Sequence, residues 1–281
     1  MSKTQRMKTN ILSEEQVKQY GENGYLIISS FLSKEIIGKL QHIAFEDAVV
    51  HKHAFDLNDQ SGKKTKLTLW YKPGDDAYGL FTRSSSLIHA VDQLMEGDSE
   101  ICHFHSKLMQ KEPRVGGAWE WHQDYGYWYK NEFLFPNQML SVMIAITDAS
   151  KENGCLQVIR GSHKMGRIEH GFAGEQVGAS QHYVDLALKV MELVYVEIKA
   201  GDALFFHPNL LHRSEDNLSD HPRWSLISVY NRSSNKPFNE PSQTSTVPVQ
   251  IVADDALLSD NLKGIDDNDS FLQKEKDEAL K

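Results

Sequence analysis

Cysteine, long apolar runs and basic clusters are all scarce in this chain, and each shortage excludes a class of protein. Only two cysteines occur in 281 residues, Cys102 and Cys155, so a disulfide framework and a cysteine-rich zinc site are both excluded. No apolar stretch reaches the length of about 18 residues that a membrane-spanning helix needs. The first residues are polar and lack the apolar centre of a secretory signal peptide. We therefore expect a cytoplasmic protein with no membrane partner.

The charge balance argues against a nucleic-acid partner. Asp and Glu outnumber Lys and Arg by 39 to 30, which gives a formal net charge of −9, and no long basic run interrupts the chain. Binding to a phosphate backbone requires clustered Lys and Arg. An anionic ligand must therefore be met by a local group of basic residues. The remaining composition, 40% hydrophobic and 25% charged, is that of an ordinary globular protein with a sizeable core.

The pattern along the chain predicts one domain, 1–281, in which helices precede strands. Residues 33–51 and 84–96 have the character of helices, within a helical N-terminal part of about 13–100. From about 101 to 235, short apolar runs rich in β-branched and aromatic residues are divided by Gly, Pro, Asn and Asp. This texture is typical of an all-β sandwich or barrel, not of a parallel doubly wound sheet. The runs are 103–109, 139–146, 156–159, 193–198, 203–206 and 224–230.

Three segments are too polar for a core. Residues 52–75, rich in Lys and Asp, are expected to form a long surface loop. Residues 161–189 are expected to form an insertion over one mouth of the barrel. A polar C-terminal tail of about 236–281 completes the chain, and roughly its last 20 residues are expected to be solvated or partly disordered.

The Trp-His-Gln-Asp segment at 121–124, with His212 ninety residues after His122, is the strongest candidate for a metal site. If this segment is a strand, His122 and Asp124 point the same way, because side chains i and i+2 share a face. A histidine from a distant strand would complete a set of two imidazoles and one carboxylate. This donor set suits Fe(II) and leaves coordination positions open, as an oxygenase requires.

Alternatives to this metal site remain open at the level of spacing. An H-x-D triplet is common by chance, and His122 and Asp124 could form a hydrogen-bonded pair on the surface. Thirteen histidines supply several rivals. His207 competes with His212 for the third position, since it lies five residues earlier and is followed directly by Pro208.

A candidate for binding an anion follows His212. Arg223 lies eleven residues later and opens the apolar run 224–230. An arginine at the start of a buried strand can bind a carboxylate through two parallel hydrogen bonds, and a neighbouring hydroxyl such as Ser214 or Ser225 can add another. A dicarboxylate co-substrate would need such a group at its far end. The alternative is that Arg223 forms a surface salt bridge.

Taken in order, these motifs resemble the phytanoyl-CoA dioxygenase family, and within it the branch that contains ectoine hydroxylase. The resemblance covers roughly residues 13–235 and favours His212 over His207 as the third ligand. The matching pieces are Trp121-His-Gln-Asp124, Leu140-Ser-Val-Met-Ile-Ala-Ile-Thr-Asp148, Glu152-Asn-Gly-Cys-Leu156, Gly161-Ser-His163, Gly201-Asp202, His212-Arg-Ser214 and Arg223.

The resemblance implies a mainly β fold with N-terminal helices, a double-stranded β-helix (a jelly-roll or cupin-like barrel) with iron at one mouth. It also implies a hydroxylase that uses Fe(II), 2-oxoglutarate and O₂. By position, the implied iron ligands are His122, Asp124 and His212. The implied 2-oxoglutarate contacts are Arg223, Ser214, Gln123 and Lys107.

The aromatic run after the metal motif bears on the substrate. Tyr125, Tyr127 and Trp128 could line a cage for an ammonium group, or could simply pack the rim of the barrel. Trp128 matches a substrate-contacting position of the ectoine-hydroxylase-like enzymes.

We therefore expect a small polar substrate with an amine, such as an ectoine-like amino acid or 2-aminoethylphosphonate. Hydroxylation of an acyl-CoA, and a jelly-roll protein that binds metal and a ligand without catalysis, are the alternatives. A monomer and a homodimer are equally compatible with the sequence.

Overall fold

The fold is mainly antiparallel β-sheet, with most helices in the N-terminal third. The structure is a computed structural model, and it describes residues 10–239, 244–267 and 271–272. The helices are α1 (Glu14–Asn23), α2 (Lys34–Glu46), α3 (Ala48–Lys52), α4 (Ala77–Thr82), α5 (Ser85–Leu94), α6 (Asp124–Trp128) and α7 (Gln181–Val190). The strands are β1 (Tyr25–Ile28), β2 (Phe55–Asn58), β3 (Lys64–Trp70), β4 (Ile101–Lys111), β5 (Trp119–His122), β6 (Met139–Ala145), β7 (Leu156–Ile159), β8 (His170–Ala173), β9 (Gln176–Ala179), β10 (Leu193–Val196), β11 (Ala203–Phe206), β12 (His212–Ser214) and β13 (Arg223–Arg232). In this part of the chain, every helix is too short or too polar to cross a membrane.

Seven strands form the large sheet, in the order β1-β11-β6-β13-β4-β3-β2. β13 lies at its centre and pairs with β4 and β6, and all ten of its residues are buried. Its side chains alternate between two cores, as the period of a strand requires. Leu226 and Tyr230 pack against the helices, whereas Ile227 and Val229 face the second sheet.

Four strands form the small sheet, in the order β10-β7-β12-β5. Its inner face packs on the large sheet, and the core between them contains Trp119 and Val158 from the small sheet and Met143 and Leu204 from the large one. Within the described residues the strands form separate sheets, not one closed ring. The expected mainly β fold with two facing sheets is confirmed.

The N-terminal helices cover the outer face of the large sheet. Ser13 caps α1, since its hydroxyl accepts the Gln16 N–H at 3.2 Å and the Gln16 side chain accepts the Ser13 N–H at 2.9 Å. The helix predicted over 84–96 is α5. The helix predicted over 33–51 is interrupted at Asp47, which ends α2 and whose carboxylate accepts the N–H groups that open α3.

The prediction of a surface loop over 52–75 was wrong. This segment contains the hairpin of β2 and β3 at one edge of the large sheet. Leu57 and Leu67 are buried in the core between the sheets, while Lys64 is exposed. Lys64 and Lys66 alternate with Thr65 and Leu67 along β3, so the charged side chains lie on the face of the strand opposite the buried leucine.

Only the helical part of the insertion predicted over a barrel mouth lies elsewhere. Val184 and Ala187 of α7 pack on Trp121 and Leu211, at the outer face of the small sheet. The hairpin of β8 and β9 contacts α6, where the Val177 N–H donates to the Tyr127 hydroxyl at 3.0 Å.

The C-terminal tail is not simply a solvated segment. Leu257 and Ile265 are buried in the core between helices and large sheet. Phe271 and Trp70 form an isolated antiparallel β-bridge through their backbones. The Leu272 N–H donates to the Leu69 carbonyl at 2.9 Å. Composition concealed this packing because the apolar residues are widely spaced among charged ones. The prediction for 268–270 and 273–281 lies outside the described residues.

Candidate active site

Two histidines and one aspartate converge at the end of the small sheet. His122 is the last residue of β5, His212 is the first residue of β12, and the two are register partners. The Oδ1 atom of Asp124 lies 3.7 Å from Nε2 of His122 and 3.8 Å from Nε2 of His212. All three side chains are buried, and one ligand atom from each lies within 4.8 Å of the others. This is an arrangement that can hold one metal ion.

One detail of the argument from sequence was wrong. β5 ends at His122, so His122 and Asp124 do not project from one strand. The chain turns there, with the Gly126 N–H donating to the Gln123 carbonyl at 2.8 Å, and Asp124 is the first residue of α6. The short helix, instead of strand alternation, brings the carboxylate to the imidazoles.

Each candidate ligand is oriented by a second hydrogen bond. Nδ1 of His122 donates to the Glu120 carbonyl at 2.8 Å, and Nδ1 of His212 donates to the Leu210 carbonyl at 2.9 Å. Both Nε2 atoms are thereby left as acceptors that face the site. The Ser141 hydroxyl donates to Oδ2 of Asp124 at 2.6 Å and leaves Oδ1 toward the histidines. Metal-binding histidines and carboxylates usually have such a hydrogen bond on the side that faces away from the metal.

Burial favours the neutral form of the two imidazoles, which is the form that binds a metal. Burial lowers the pKa of His122 well below its usual value, and the neighbouring His212 lowers it further. Burial also lowers the pKa of His212, although the carboxylate of Asp124 opposes that shift.

His207 does not join the site. Its Nε2 atom lies 3.0 Å from Oδ1 of Asn137, and its Nδ1 atom accepts the Asn209 N–H at 3.0 Å. Both ring nitrogens are therefore engaged elsewhere, and the geometry supports His212 as the third ligand. His163 and His170 are likewise outside the group of three.

A buried arginine lies at the start of β13. Arg223 is 5% exposed. Its Nε atom donates to the Gly154 carbonyl at 3.2 Å, and its Nη1 atom makes a long contact of 3.5 Å to the Ser225 hydroxyl. Burial lowers the pKa of Arg223 to about 10, against the opposing effect of Cys155. Among the described residues it forms no ion pair, so the surface salt bridge considered from sequence is not present.

A second buried cation beside Arg223 was missed from sequence. Lys111 is 1% exposed, and its Nζ atom donates to the Ser214 hydroxyl at 2.9 Å and to the Glu215 carbonyl. The apolar run was taken to end at 109, whereas β4 continues to Lys111. If the predicted strand had been extended by two residues, the alternation of side chains would have placed Lys107 and Lys111 on one face.

A cavity opens directly beside the three candidate ligands. Its aromatic walls include Trp119, Tyr127 and Trp128, and its aliphatic wall comes from the β2–β3 hairpin and the C-terminal segment. The full lining is Phe55, Leu57, Leu67, Leu69, Tyr71, Phe104, His105, Lys107, Trp119, His122, Asp124, Tyr127, Trp128, Asn131 and Leu272.

Lys107 is the basic residue of this cavity. It lies on β4 with its Nζ atom 5.8 Å from the centre of the Trp119 ring. His105, two residues earlier, also lines the cavity, and burial lowers its pKa well below the usual value. His105 was not identified from sequence, although its position two residues from Lys107 on one strand would have indicated it.

Four of the predicted contact residues do not line the cavity, namely Arg223, Ser214, Gln123 and Tyr125. The Gln123 amide donates to the carbonyls of Gly166 and Asn209, both at 2.7 Å, and its oxygen accepts the Ile168 N–H at 2.9 Å. The Tyr125 hydroxyl donates to the Phe133 carbonyl at 2.5 Å. Gln123 and Tyr125 thus hold loops around the site, whereas Tyr127 and Trp128 face the cavity itself.

Comparison with known proteins points to one family. The family described as phytanoyl-CoA dioxygenase matches residues 20–225. L-proline trans-4-hydroxylase of Streptomyces griseoviridis is 25% identical over 257 residues, which cover 84% of this chain and 95% of the relative. Ectoine dioxygenase of Bordetella bronchiseptica is 23% identical and phytanoyl-CoA dioxygenase 1 of Oryza sativa is 26% identical, covering 80% and 76% of this chain and 77% and 87% of the relatives.

Solved structures share the fold. EctD from S. alaskensis, crystallised with 2-oxoglutarate and 5-hydroxyectoine, has a TM-score of 0.69 at 18% identity and covers 87% of this chain and 89% of its own. SnoN, an α-ketoglutarate-dependent epimerase from nogalamycin biosynthesis, has a TM-score of 0.64 at 19% identity, with 85% and 93% covered. The jelly-roll architecture expected from the resemblance is confirmed.

Proposed function

Because this chain belongs to the phytanoyl-CoA dioxygenase family, we propose that it hydroxylates a small polar metabolite that bears an amine, releasing succinate and CO₂. The enzyme class is that of the relatives, a dioxygenase that uses Fe(II), 2-oxoglutarate and O₂. The substrates we propose are an ectoine-like amino acid or an aminophosphonate such as 2-aminoethylphosphonate.

The residues present fit an iron ion. Two neutral imidazoles and one carboxylate are buried, each is held by a second hydrogen bond, and their ligand atoms converge. We infer that His122, Asp124 and His212 hold Fe(II). When bound, iron with 2-oxoglutarate and O₂ supplies the oxidising power to place oxygen on an unactivated carbon.

The residues around Arg223 fit the far carboxylate of 2-oxoglutarate. Arg223 is buried, and among the described residues no carboxylate pairs with it. Ser214 lies two residues after His212, on the same side of β12. The strand therefore leads from the iron ligands toward Arg223. We infer that Arg223 and Ser214 bind that carboxylate, with Lys107 and Gln123 as the less direct candidates for further contacts.

The observation that carries the choice of substrate is the composition of the cavity. Trp119, Tyr127 and Trp128 line the cavity together with His122 and Asp124, and Asp124 is the single carboxylate in the lining. Because Asp124 is assigned to iron, an ammonium group would be received by the aromatic rings. Lys107 is available for an acidic group of the same molecule. An amine that also carries an acid matches both features.

The test is turnover with a panel of metabolites. Protein loaded with Fe(II) would be incubated with 2-oxoglutarate and each candidate, and succinate and a product heavier by one oxygen atom would be measured. L-proline, ectoine and 2-aminoethylphosphonate are the first amines to include, and an acyl-CoA is the comparison. Coupled turnover of an amine supports the proposal. Turnover only with an acyl-CoA or another lipid chain would reject it.

A further inference from the structure

The cavity beside the iron ligands has a polar side and an apolar side. Three neighbouring strands of the large sheet, β4, β3 and β2, line it with alternate residues. Alternate residues of a strand share a face, so one continuous surface of the sheet borders the cavity. β4 contributes His105 and Lys107, whereas β3 and β2 contribute Leu67, Leu69, Phe55 and Leu57.

The change from polar to apolar occurs between two adjacent strands. Lys107 of β4 and Leu69 of β3 are register partners, so their side chains project to the same face. The Leu272 N–H donates to the Leu69 carbonyl, and the Leu272 side chain also lines the cavity. Polarity therefore falls in one direction, from β4 toward the edge of the sheet. The apolar strip, as we call it, consists of Phe55, Leu57, Leu67, Leu69 and Leu272.

Part of the apolar strip is not covered by other protein atoms. Leu57 and Leu67 are buried in the core between the sheets, but Phe55, Leu69 and Leu272 are only partly buried. These three side chains border the same cavity as the iron ligands. A hydrocarbon group bound against them would remove apolar surface from water, which stabilises a complex in proportion to the area covered.

The polar side of the cavity offers a cation and an uncharged acceptor. Lys107 is available to a carboxylate. His105 lies two residues earlier, with its ring centre 6.0 Å from that of Trp128, and no described residue forms a hydrogen bond with its ring. Burial lowers the pKa of His105 well below its usual value, so the ring is neutral and has one acceptor nitrogen. An ammonium group next to a carboxylate is matched by His105 and Trp128.

A ligand that fits this arrangement carries both of its charges at one end. The charges of 2-aminoethylphosphonate lie at opposite ends, so one of them would face the apolar strip and lose its hydration without a partner. In an α-amino acid, the ammonium and carboxylate groups share one carbon and the side chain extends away from both. The second arrangement matches the polarity of the cavity.

We propose that the substrate is an α-amino acid with a hydrocarbon side chain, whose charged end lies at β4 and whose side chain lies along the apolar strip. This inference rests on the proposed function and selects amino acids over aminophosphonates within it. The strip spans one to two strand spacings, or about 5–10 Å, which suits a side chain of about three to six carbons.

A purely structural role for the apolar strip is the competing explanation. Phe55 and Leu69 also pack against the core between the sheets, so their replacement can disturb the edge of the sheet without any direct effect on a ligand. Such a disturbance weakens the binding of short and long ligands alike. A direct contact changes affinity according to the length of the ligand side chain, so the experiment must compare a homologous series.

The experiment is calorimetric titration of protein loaded with Mn(II) and 2-oxoglutarate. The ligands are L-alanine, L-norvaline, L-norleucine and 5-aminopentanoate, and the last is an isomer of norvaline with its charges at opposite ends. Affinity of the wild type should rise about threefold to fourfold for each added side-chain carbon, because each buried methylene contributes to binding. 5-Aminopentanoate should bind at least about 30-fold more weakly than norvaline.

One variant and its control locate the contact. Leu69→Phe places a larger side chain in the cavity, so it should weaken the binding of norleucine about 10-fold or more and that of alanine by less than about threefold. Leu80→Phe is the matched control, because Leu80 is partly buried against the other core, between the helices and the large sheet. It should keep the affinities of the wild type. Urea midpoints of both variants report whether the fold is retained.

The outcomes separate this inference from the proposed function. Tighter binding of norvaline than of its isomer, with the selective loss in Leu69→Phe, supports the inference. Equal affinities along the series, or 5-aminopentanoate bound as tightly as norvaline, would overturn it while an amine substrate stands. Equal weakening of alanine and norleucine in Leu69→Phe would also overturn it. Affinity for an acyl-CoA and for no amine would reject the proposed function as well. The comparison of isomers needs only the wild type, so it holds even if Leu69→Phe fails to fold.

Discussion

His122 and His212 face each other across two neighbouring strands, with ring centres 4.0 Å apart. They are register partners in the pairing of β5 with β12, although their positions in the sequence are ninety residues apart. The metal site is therefore assembled by the register of one strand pair. A slip of one residue would turn one imidazole to the opposite face of the sheet and separate the ligands.

Replacement of any one of His122, Asp124 and His212 by Ala should abolish succinate formation from 2-oxoglutarate, because two protein ligands hold Fe(II) too weakly. Iron content after gel filtration and succinate yield are the measurements. His207→Ala is the matched control, since both nitrogens of His207 bond outside the site, and it should keep activity. Loss of iron in His207→Ala together with its retention in His212→Ala would reassign the third ligand.

Arg223→Leu should raise the concentration of 2-oxoglutarate required for half-maximal rate while iron affinity stays nearly unchanged. Loss of a buried charged contact with a carboxylate costs on the order of 2–5 kcal/mol, which is about 30-fold to several-thousand-fold in affinity. Arg114→Leu is the control, because Arg114 pairs with Asp220 at the exposed surface. An unaltered 2-oxoglutarate requirement in Arg223→Leu would assign Arg223 to structure.

Trp128→Ala should weaken substrate binding several-fold and leave decarboxylation of 2-oxoglutarate without substrate largely intact. The reason is that a cation over an aromatic face contributes roughly 0.5–2 kcal/mol. Substrate KM and uncoupled succinate formation are the two measurements. Tyr125→Phe is informative beside it, because the Tyr125 hydroxyl bonds the Phe133 carbonyl, and its loss should affect stability more than KM.

Leu272→Ala should raise substrate KM and leave the affinity for 2-oxoglutarate unchanged, because Leu272 lines the cavity from the C-terminal segment. Leu258→Ala removes an exposed leucine of the same segment and should have no effect. Equal KM values in both variants would show that the segment does not contribute to substrate binding.

The metal-free protein should lose stability as the pH falls below about 6.5. Burial lowers the pKa of His207 from 6.5 to about 3, so the unfolded chain binds a proton in this range and the folded chain does not. The penalty is absent above the unfolded pKa and grows as the pH falls toward the folded pKa. It amounts to about 1.4 kcal/mol at about pH 5.5.

Urea unfolding at about pH 7.5 and pH 5.5 tests this dependence. His207→Gln should reduce the difference in unfolding free energy between the two pH values. His182→Gln, at an exposed position of α7, should not change it. An unchanged difference in His207→Gln would show that His207 does not contribute to the pH dependence.

The sequence predicted those features that depend on local pattern. The strand runs, the helix over 84–96 and the spacing of His122, Asp124 and Arg223 were all visible because each is local or matches a family motif. The remaining features depend on which strands pair and in which register. Lys111 lies beside Arg223 only because β4 and β13 are neighbours in the sheet, and the sequence of one strand does not show which strand it pairs with.

The hairpin of β2 and β3 escaped prediction for a different reason. The lysines of β3 alternate with inward-facing residues, so any average over the segment conceals the buried Leu57 and Leu67. The tail escaped because Ile265 and the pair Phe271 and Leu272 are separated by polar residues, and the residues that they pack against are distant in the sequence. In both cases the inward-facing residues are too few to change the composition.

The docking of Phe271 and Leu272 has a practical consequence for fused tags. Phe271 stacks on His53 with ring centres 3.9 Å apart, and Leu272 is part of the cavity wall. An affinity or fluorescent tag joined after Lys281 would follow this cavity wall by nine residues of sequence. The first helix packs by β1, at the opposite edge of the large sheet from β2, which is roughly 25–30 Å away at about 4.8 Å per strand. Kinetic comparisons among variants are best made with the tag at the N-terminus.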